Sequence, residues 1–178
     1  MANQIPAMVK LDQCSLGGMW SESGYRRELD SPNSVLRILQ NRSDHIIGLG
    51  CFWAITDEAH ITLLAIAPGY QRQGLGRWLL WQLLREAHEH QLHHATLEVR
   101  LGNAIAQKLY HQFGFQALGQ RKRYYPDDED ALILWRSGLE RPGFAQELAV
   151  WKTTIASKLD GYKWHLANRD SLYKSHQK

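Results

Sequence analysis

Between Ile66 and Arg77 the chain reads Ile-Ala-Pro-Gly-Tyr-Gln-Arg-Gln-Gly-Leu-Gly-Arg, joining an apolar strand pattern to a strong helical one. Gly74 and Gly76 carry no Cβ, so unpaired N–H groups of the first helical turn can face a ligand beside the positive end of the helix dipole. Arg72 and Arg77 add charge, and the combination suits a phosphate. It is not a Walker loop, which needs Gly-x-x-x-x-Gly-Lys-Ser/Thr. Nor is it a dinucleotide fingerprint, because Gly74-x-Gly76 is followed by Arg77, Trp78 and Leu79 without a third glycine. A purely structural turn is the competing reading. A second chemical signal is Glu98 in Thr96-Leu97-Glu98-Val99, since a carboxylate inside a sheet needs a partner or a task. An ion pair with Arg100 or another neighbour would satisfy it without chemistry.

The elements that hold these residues follow from periodicity. Residues 8–30 suggest one or two short helices and a loop. Val35 to Leu39 and Ile46 to Ile55 read as a hairpin turned at Asn41-Arg42-Ser43-Asp44. Ile61 to Ile66 is a third strand whose near-continuous hydrophobicity predicts burial on both faces. From Gly74 to Gln91 the period becomes helical, with Leu75, Leu79 and Leu83 on one stripe. His94 to Arg100 is a strand, and Asn103 to Phe113 a helix capped by Asn103 and stopped at Gly114. Residues 115–125 and 131–139 close the pattern as a hairpin. This order predicts an α/β fold with a partly parallel central sheet, helices on both faces and antiparallel additions at its ends. Beyond Glu140 a break at Arg141-Pro142-Gly143 precedes Phe144, Leu148, Trp151, Ile155 and Leu159, the stripe of an amphipathic helix ending near Gly161. A weaker helical pattern follows, with Tyr162, Leu166 and Tyr173 among Lys163, Arg169 and Lys174, and the last residues are expected to fray. Residues 1–139 thus read as one domain and 140–178 as a basic, amphipathic helical C-terminal extension.

Gln71-Arg72-Gln73-Gly74-Leu75-Gly76 matches a Gln/Arg-x-x-Gly-x-Gly/Ala signature. Leu97-Glu98-Val99-Arg100, Asn103-x-x-Ala106, Leu109-Tyr110-x-x-x-Gly114-Phe115 and Tyr124-Tyr125-Pro126 follow it in order. On these motifs residues 8–138 resemble the GCN5-related N-acetyltransferases (GNAT), and within them the RimI-type protein N-terminal acetyltransferases. Trp20-Ser21-Glu22 resembles that group's substrate-loop segment. The resemblance implies a GNAT-type mixed sheet whose third strand and His94–Arg100 strand splay apart to admit acetyl-CoA as cosubstrate. It assigns the pantetheine arm to the backbone of Leu64, Ala65 and Ile66, and the pyrophosphate to Arg72, Gln73, Gly74, Leu75, Gly76 and Arg77. Asn103 would bind the cosubstrate through its side-chain amide, although helix capping alone would also explain it. Glu98 becomes the general base, directly or through a water. Tyr110 becomes the acid that protonates the departing thiolate, in a direct transfer without a covalent enzyme intermediate. A Tyr at that spacing equally serves a core. Trp20, Tyr124 and Tyr125 would flank the first residues of a peptide, with aromatic packing as their alternative. The implied acceptor is the N-terminal alanine of a small-subunit ribosomal protein. An α-amine, with pKa ~8 against ~10.4 for lysine, offers far more nucleophile at neutral pH. Two rivals remain: a small-molecule or lysine acetyltransferase sharing the same cosubstrate site, and a non-catalytic module that binds acetyl-CoA or RNA.

Composition narrows the classes. A chain of 178 residues buries about 70% of its unfolded surface and needs no disulfide or structural metal. Cys14 and Cys51 read as small buried hydrophobes. No apolar run approaches the eighteen or so residues that cross a bilayer, and the N-terminus lacks a basic segment before an apolar one. The expectation is therefore a cytoplasmic protein with no membrane contact. Residues 1–138 carry fourteen basic and fourteen acidic side chains, which argues against general nucleic-acid binding. Residues 139–178 carry seven against four, leaving open a weak, salt-sensitive RNA contact. His88, His90, His93 and His94 look like a metal cluster but read as a solvated polar helix end, and no metal is expected. Asp127 to Asp130 reads as an exposed turn or a lure for a basic peptide, and Trp78 and Trp81 as packing residues. The apolar stripe of the extension must be buried on its own domain, the favoured option, on a second copy, or on a partner such as the ribosome.

Overall fold

The computed structural model describes residues 2–166 and 172–174. Two helices, α1 (Ile5–Leu16) and α2 (Glu22–Asp30), precede a six-stranded sheet. Its strands are β1 (Ser34–Gln40), β2 (Ile46–Ile55), β3 (Glu58–Ile66), β4 (His94–Arg100), β5 (Gln116–Arg121) and β6 (Ala131–Ser137). They lie in the order β1-β2-β3-β4-β6-β5, and only β3 and β4 run parallel. Helix α3 (Leu75–Glu89) crosses from β3 to β4, and α4 (Ala104–Gln112) follows β4. Helices α3, α4 and the C-terminal α5 (Pro142–Gly161) share one core with the sheet, while α1 and α2 close a smaller core on its other face. Trp78 and Trp81 stack at 4.7 Å within the larger core, as packing residues.

The apolar run of β3 serves both faces, but unequally. Cys51 opposes Leu63 and Phe52 opposes Ile61, so Thr62 is an extra residue, a β-bulge. Side chains change sides there: Ala59 and Ile61 join the larger core, Leu63 and Ala65 the smaller. Leu64 and Ile66 stay only half-buried. A strand bent at a bulge diverges from its neighbour, and β3 pairs with β4 only from Glu58 to His60, although both strands continue beyond. The expected splay is present.

The extension's stripe is buried on its own domain. Phe144, Leu148, Ile155 and Leu159 lie in the larger core, Trp81 Nε1 donates to the Leu148 carbonyl at 2.9 Å, and Arg136 pairs with Glu147 at 2.6 Å. The second helical pattern is not a helix. Lys163 takes a left-handed φ of 61°, which ends α5, and β7 (Trp164–Leu166) pairs antiparallel with β8 (Leu172–Lys174). Strands of three residues are too short for a period-2 signal to oppose the helical reading. Arg169 and the fraying expected for residues 175–178 fall outside the described residues.

Two smaller expectations also need correction. Cys51 is buried, with its thiol pushed up to about 11 by burial, but Cys14 is exposed, because on α1 it lies opposite the face carrying Met8 and Asp12. The end of α3 is solvated only in part, with Glu89, His90 and His93 exposed and the others engaged. Glu86 is 8% exposed and pairs with Arg37 at 2.7 Å, His88 Nδ1 lies 2.6 Å from the Leu139 carbonyl, and His94 stacks on Trp135 at 4.0 Å. These side chains have separate partners, and no group of three or more His, Cys, Asp or Glu among the described residues could hold a metal. None of the described helices is long and apolar enough to cross a membrane.

Candidate active site

The site is built where β3 and β4 part. On its β3 side the chain leaves Ile66 through a short 3-10 turn at Pro68–Tyr70 and enters α3 at Gly74. Gly74 has φ +91°, a conformation that only glycine takes at low cost, and it supplies no side chain to cap the first turn of α3. Those N–H groups are left for a ligand. A Cβ on Gly76 would stand 3.6 Å from Leu109 and 3.9 Å from Ile66, so the loop, the end of β3 and α4 converge there. Asn103 caps α4, its Oδ1 accepting from the Ala106 N–H at 3.0 Å, and its side chain is exposed. Backbone donors at a glycine-built helix start, arginines on both sides and a half-buried apolar strand end form a set that fits a phosphate-bearing thioester carrier.

Glu98 occupies the centre of β4, opposite Ile133 of β6, with its side chain 9% exposed. Its partner is not Arg100. One carboxylate oxygen lies 3.2 Å from Arg121 Nη2 and the other 3.4 Å from His60 Nε2. The Thr96 hydroxyl donates to Glu58, so its oxygen accepts from His60 Nδ1 at 2.9 Å. The imidazole thus stands between two carboxylates, with Nδ1 3.3 Å from Glu58 and Nε2 toward Glu98.

Tyr110 on α4 is buried, its ring edge-on to Phe115 at 5.7 Å. Burial, and then the nearby Tyr125 phenol, raise its pKa well above the ordinary phenol range, so it stays protonated at any physiological pH. Tyr125 is pushed up to about 12, chiefly by burial, with Arg100 pulling the other way and Glu98 among the charges that raise it. Tyr125 is thus near enough to Glu98 to feel its charge, and Tyr110 near enough to feel Tyr125.

The acidic run holds this arrangement. Arg100 Nη1 donates to both Asp127 oxygens at 2.9 and 2.8 Å and to Glu129 at 2.6 Å, and its guanidinium lies 4.0 Å over the Tyr125 ring. Glu129 also accepts from the Gly102 N–H at 2.8 Å, and Asp130 from the Arg123 N–H at 2.8 Å. Tyr124 meets Tyr125 edge-on at 5.2 Å and lies under Arg121 at 5.5 Å. Trp20 is apart from this group in its recorded contacts. Its N–H donates to buried Asp12 at 2.9 Å and its ring meets Tyr25 at 5.2 Å, while Asp12 also takes the Met19 N–H and the Tyr25 hydroxyl. Sequence reasoning missed His60 and Arg121. The alternation Glu58, His60, Thr62 was an available sign of a polar strand face, whereas nothing local marks Arg121 as the partner of Glu98.

Comparison with known proteins agrees with this geometry. The profile of the "Acetyltransferase (GNAT) family" matches residues 5–115. A Bacillus subtilis protein named "Putative [ribosomal protein bS18]-alanine N-acetyltransferase" is 35% identical over 133 residues, covering 74% of this chain and 87% of its own length. The Escherichia coli (strain K12) "[Ribosomal protein bS18]-alanine N-acetyltransferase" is 33% identical over 133 residues, 73% of this chain and 88% of that one. The crystal structure of the ribosomal-protein-S18-alanine N-acetyltransferase from Escherichia coli superposes with a TM-score of 0.71 at 31% identity, covering 77% of this chain and 89% of that one.

Proposed function

The chain belongs to the GNAT acetyltransferase family and uses acetyl-CoA, and from that premise we propose that it acetylates the N-terminal α-amine of a protein, specifically the N-terminal alanine of a ribosomal protein of the bS18 kind. The observation that carries this reading is the 33–35% identity over 133 residues with relatives named for that reaction. A ribosomal acceptor makes the cytoplasm its place of work.

Each residue has a task in this reading. The backbone of Leu64, Ala65 and Ile66 holds the pantetheine arm, since β3 has no β4 partner beyond His60. The segment Arg72, Gln73, Gly74, Leu75, Gly76 and Arg77 takes the pyrophosphate, and the Asn103 amide nitrogen, whose companion oxygen caps α4, donates to the cosubstrate. Acetyl-CoA, when bound, supplies an activated thioester carbonyl. Glu98 takes the proton of the α-ammonium form and so frees the nitrogen lone pair to bond the acetyl carbon, and the proton shed once the N–C bond has formed passes to solvent. Tyr110 gives its phenol proton to the thiolate as the C–S bond breaks. Tyr124, Tyr125 and Trp20 flank the peptide's first residues, a small N-terminal side chain suiting an entrance bordered by rings.

The test is coenzyme A release with an alanine-starting peptide, beside the same peptide with a blocked N-terminus and an internal lysine. The reading requires release with the free N-terminus alone. Release driven by the lysine, or by polyamines and other small amines instead, overturns it.

A further inference from the structure

We propose that the C-terminal extension is part of the acetyl-CoA site, with Trp164 as a positioning residue that holds the phosphate loop from behind. This rests on the reading that residues 72–77 take the pyrophosphate. The family match ends at residue 115, so the extension lies beyond it. Residues 158–164 nevertheless reach the loop at three points. Leu159 Cδ2 lies 3.4 Å, and Lys158 Cγ 3.7 Å, from where a Cβ on Gly74 would be. Trp164, 1% exposed, donates its Nε1–H to Gln73 Oε1 at 2.9 Å across 91 residues of sequence. Its ring centre lies 6.1 Å from that of Tyr70, whose hydroxyl in turn accepts from Asn41 Nδ2 at 3.1 Å.

The decisive feature is the Gln73 amide. Its oxygen is held by Trp164, and its nitrogen donates to the Gly69 carbonyl at 3.3 Å, so the amide spans the loop and closes it on itself. The loop needs such help. Arg72 and Gly74 both have positive φ, Gly69 has open space around it, and Gly74 leaves the start of α3 uncapped. A loop already fixed in the shape that aims its N–H groups at phosphate loses less entropy on binding. The extension therefore acts on cosubstrate affinity through the loop, without touching the reacting atoms.

Trp164→Phe removes the N–H and keeps an aromatic ring in place, though a smaller one. Gln73→Met removes the same bond from the loop side and leaves the β7–β8 hairpin alone. Losing one such bond should raise KM for acetyl-CoA about three- to tenfold in either variant. The double variant should be no worse than the poorer single one, because both act through one interaction. At saturating acetyl-CoA, the kcat of Trp164→Phe should match wild type, and its KM for S-acetyl-pantetheine, which lacks the pyrophosphate, should not move. An unchanged KM for acetyl-CoA in both folded variants overturns the proposal, and so does an equal rise for S-acetyl-pantetheine. A wild-type enzyme that binds coenzyme A no better than pantetheine would overturn the pyrophosphate reading itself, and the proposal with it.

Discussion

The two sides of the opening between β3 and β4 are built by different physics. The side that the proposed function gives to the cosubstrate is backbone: a bulged strand, a glycine at positive φ and an uncapped helix start, with the buried Leu159 and Trp164 behind them. The acceptor side is side-chain charge. Arg100 gathers Asp127 and Glu129 under the Tyr125 ring, and Glu98 stands between Arg121 and His60. Backbone donors can hold any phosphate in a fixed place, whereas a loop held by ion pairs can be adjusted to a peptide by a few substitutions. In the proposed function the constant substrate then meets the rigid side and the variable one the adjustable side.

The difference is tested most severely at the junction, where the proposed mechanism has Glu98 serve the amine and Tyr110 the thiolate. Glu98→Gln and Tyr110→Phe should each lower kcat by ~10²–10⁴ while coenzyme A affinity, measured by calorimetry, holds. Their pH dependence should separate them. As pH rises toward the α-amine pKa of ~8, the amine sheds its own proton and the Glu98→Gln deficit should shrink. The Tyr110→Phe deficit should stay constant, since the leaving group's demand for a proton does not change over that range. Equal recovery in both variants would mean that the two residues do not divide the chemistry in this way.

Arg100→Gln breaks only the acceptor side. Freed from Arg100, the Tyr124–Tyr125 loop should raise KM for the peptide about tenfold with acetyl-CoA KM unmoved, the reverse of the split expected for Trp164→Phe. Asp127 is exposed and Glu129 half-exposed, and solvent-screened pairs add little to stability, so the urea midpoint should barely move. A rise in acetyl-CoA KM instead would show that the two sides are one coupled unit.

The same contrast explains what could be read from the chain alone. Gly74-x-Gly76 after an apolar strand is a local code, because the turn, the helix start and the donors lie within a few residues, so the loop was legible from it, whereas the splay came only with the family resemblance. Glu98 was legible as a carboxylate in want of a partner, but the partner was not. Arg100 lay two residues away and Arg121 twenty-three, and only the strand order β4-β6-β5 brings Arg121 across to Glu98. The acidic run read as an exposed turn because its role depends on Arg100, 27 and 29 residues distant. In the extension, the long stripe of α5 has helical spacing over 20 residues, whereas the three-residue strands β7 and β8 are too short for periodicity to distinguish them from a helix.

The smallest effect expected is an absence of change at alkaline pH. The free amine is the reactive form, so kcat/KM should rise about tenfold per pH unit below ~8 and then level off. An acid of ordinary phenol pKa would deprotonate near ~10 and turn the profile down. Burial raises the Tyr110 pKa beyond that range, and the acid acts in its protonated form, so the plateau should continue past pH 10 for as long as the protein stays folded. Stability has the opposite sign. A phenol whose folded pKa is raised contributes stability that is complete below the unfolded pKa of ~10 and lost as pH climbs toward the folded one. Tyr25, raised by burial and by Asp12, contributes in the same sense. The profile should therefore end in unfolding, seen as a loss of near-ultraviolet circular dichroism together with activity. A downturn near pH 10 in a protein still folded would mean that Tyr110 is not the acid, or that the bound substrates open its pocket to water.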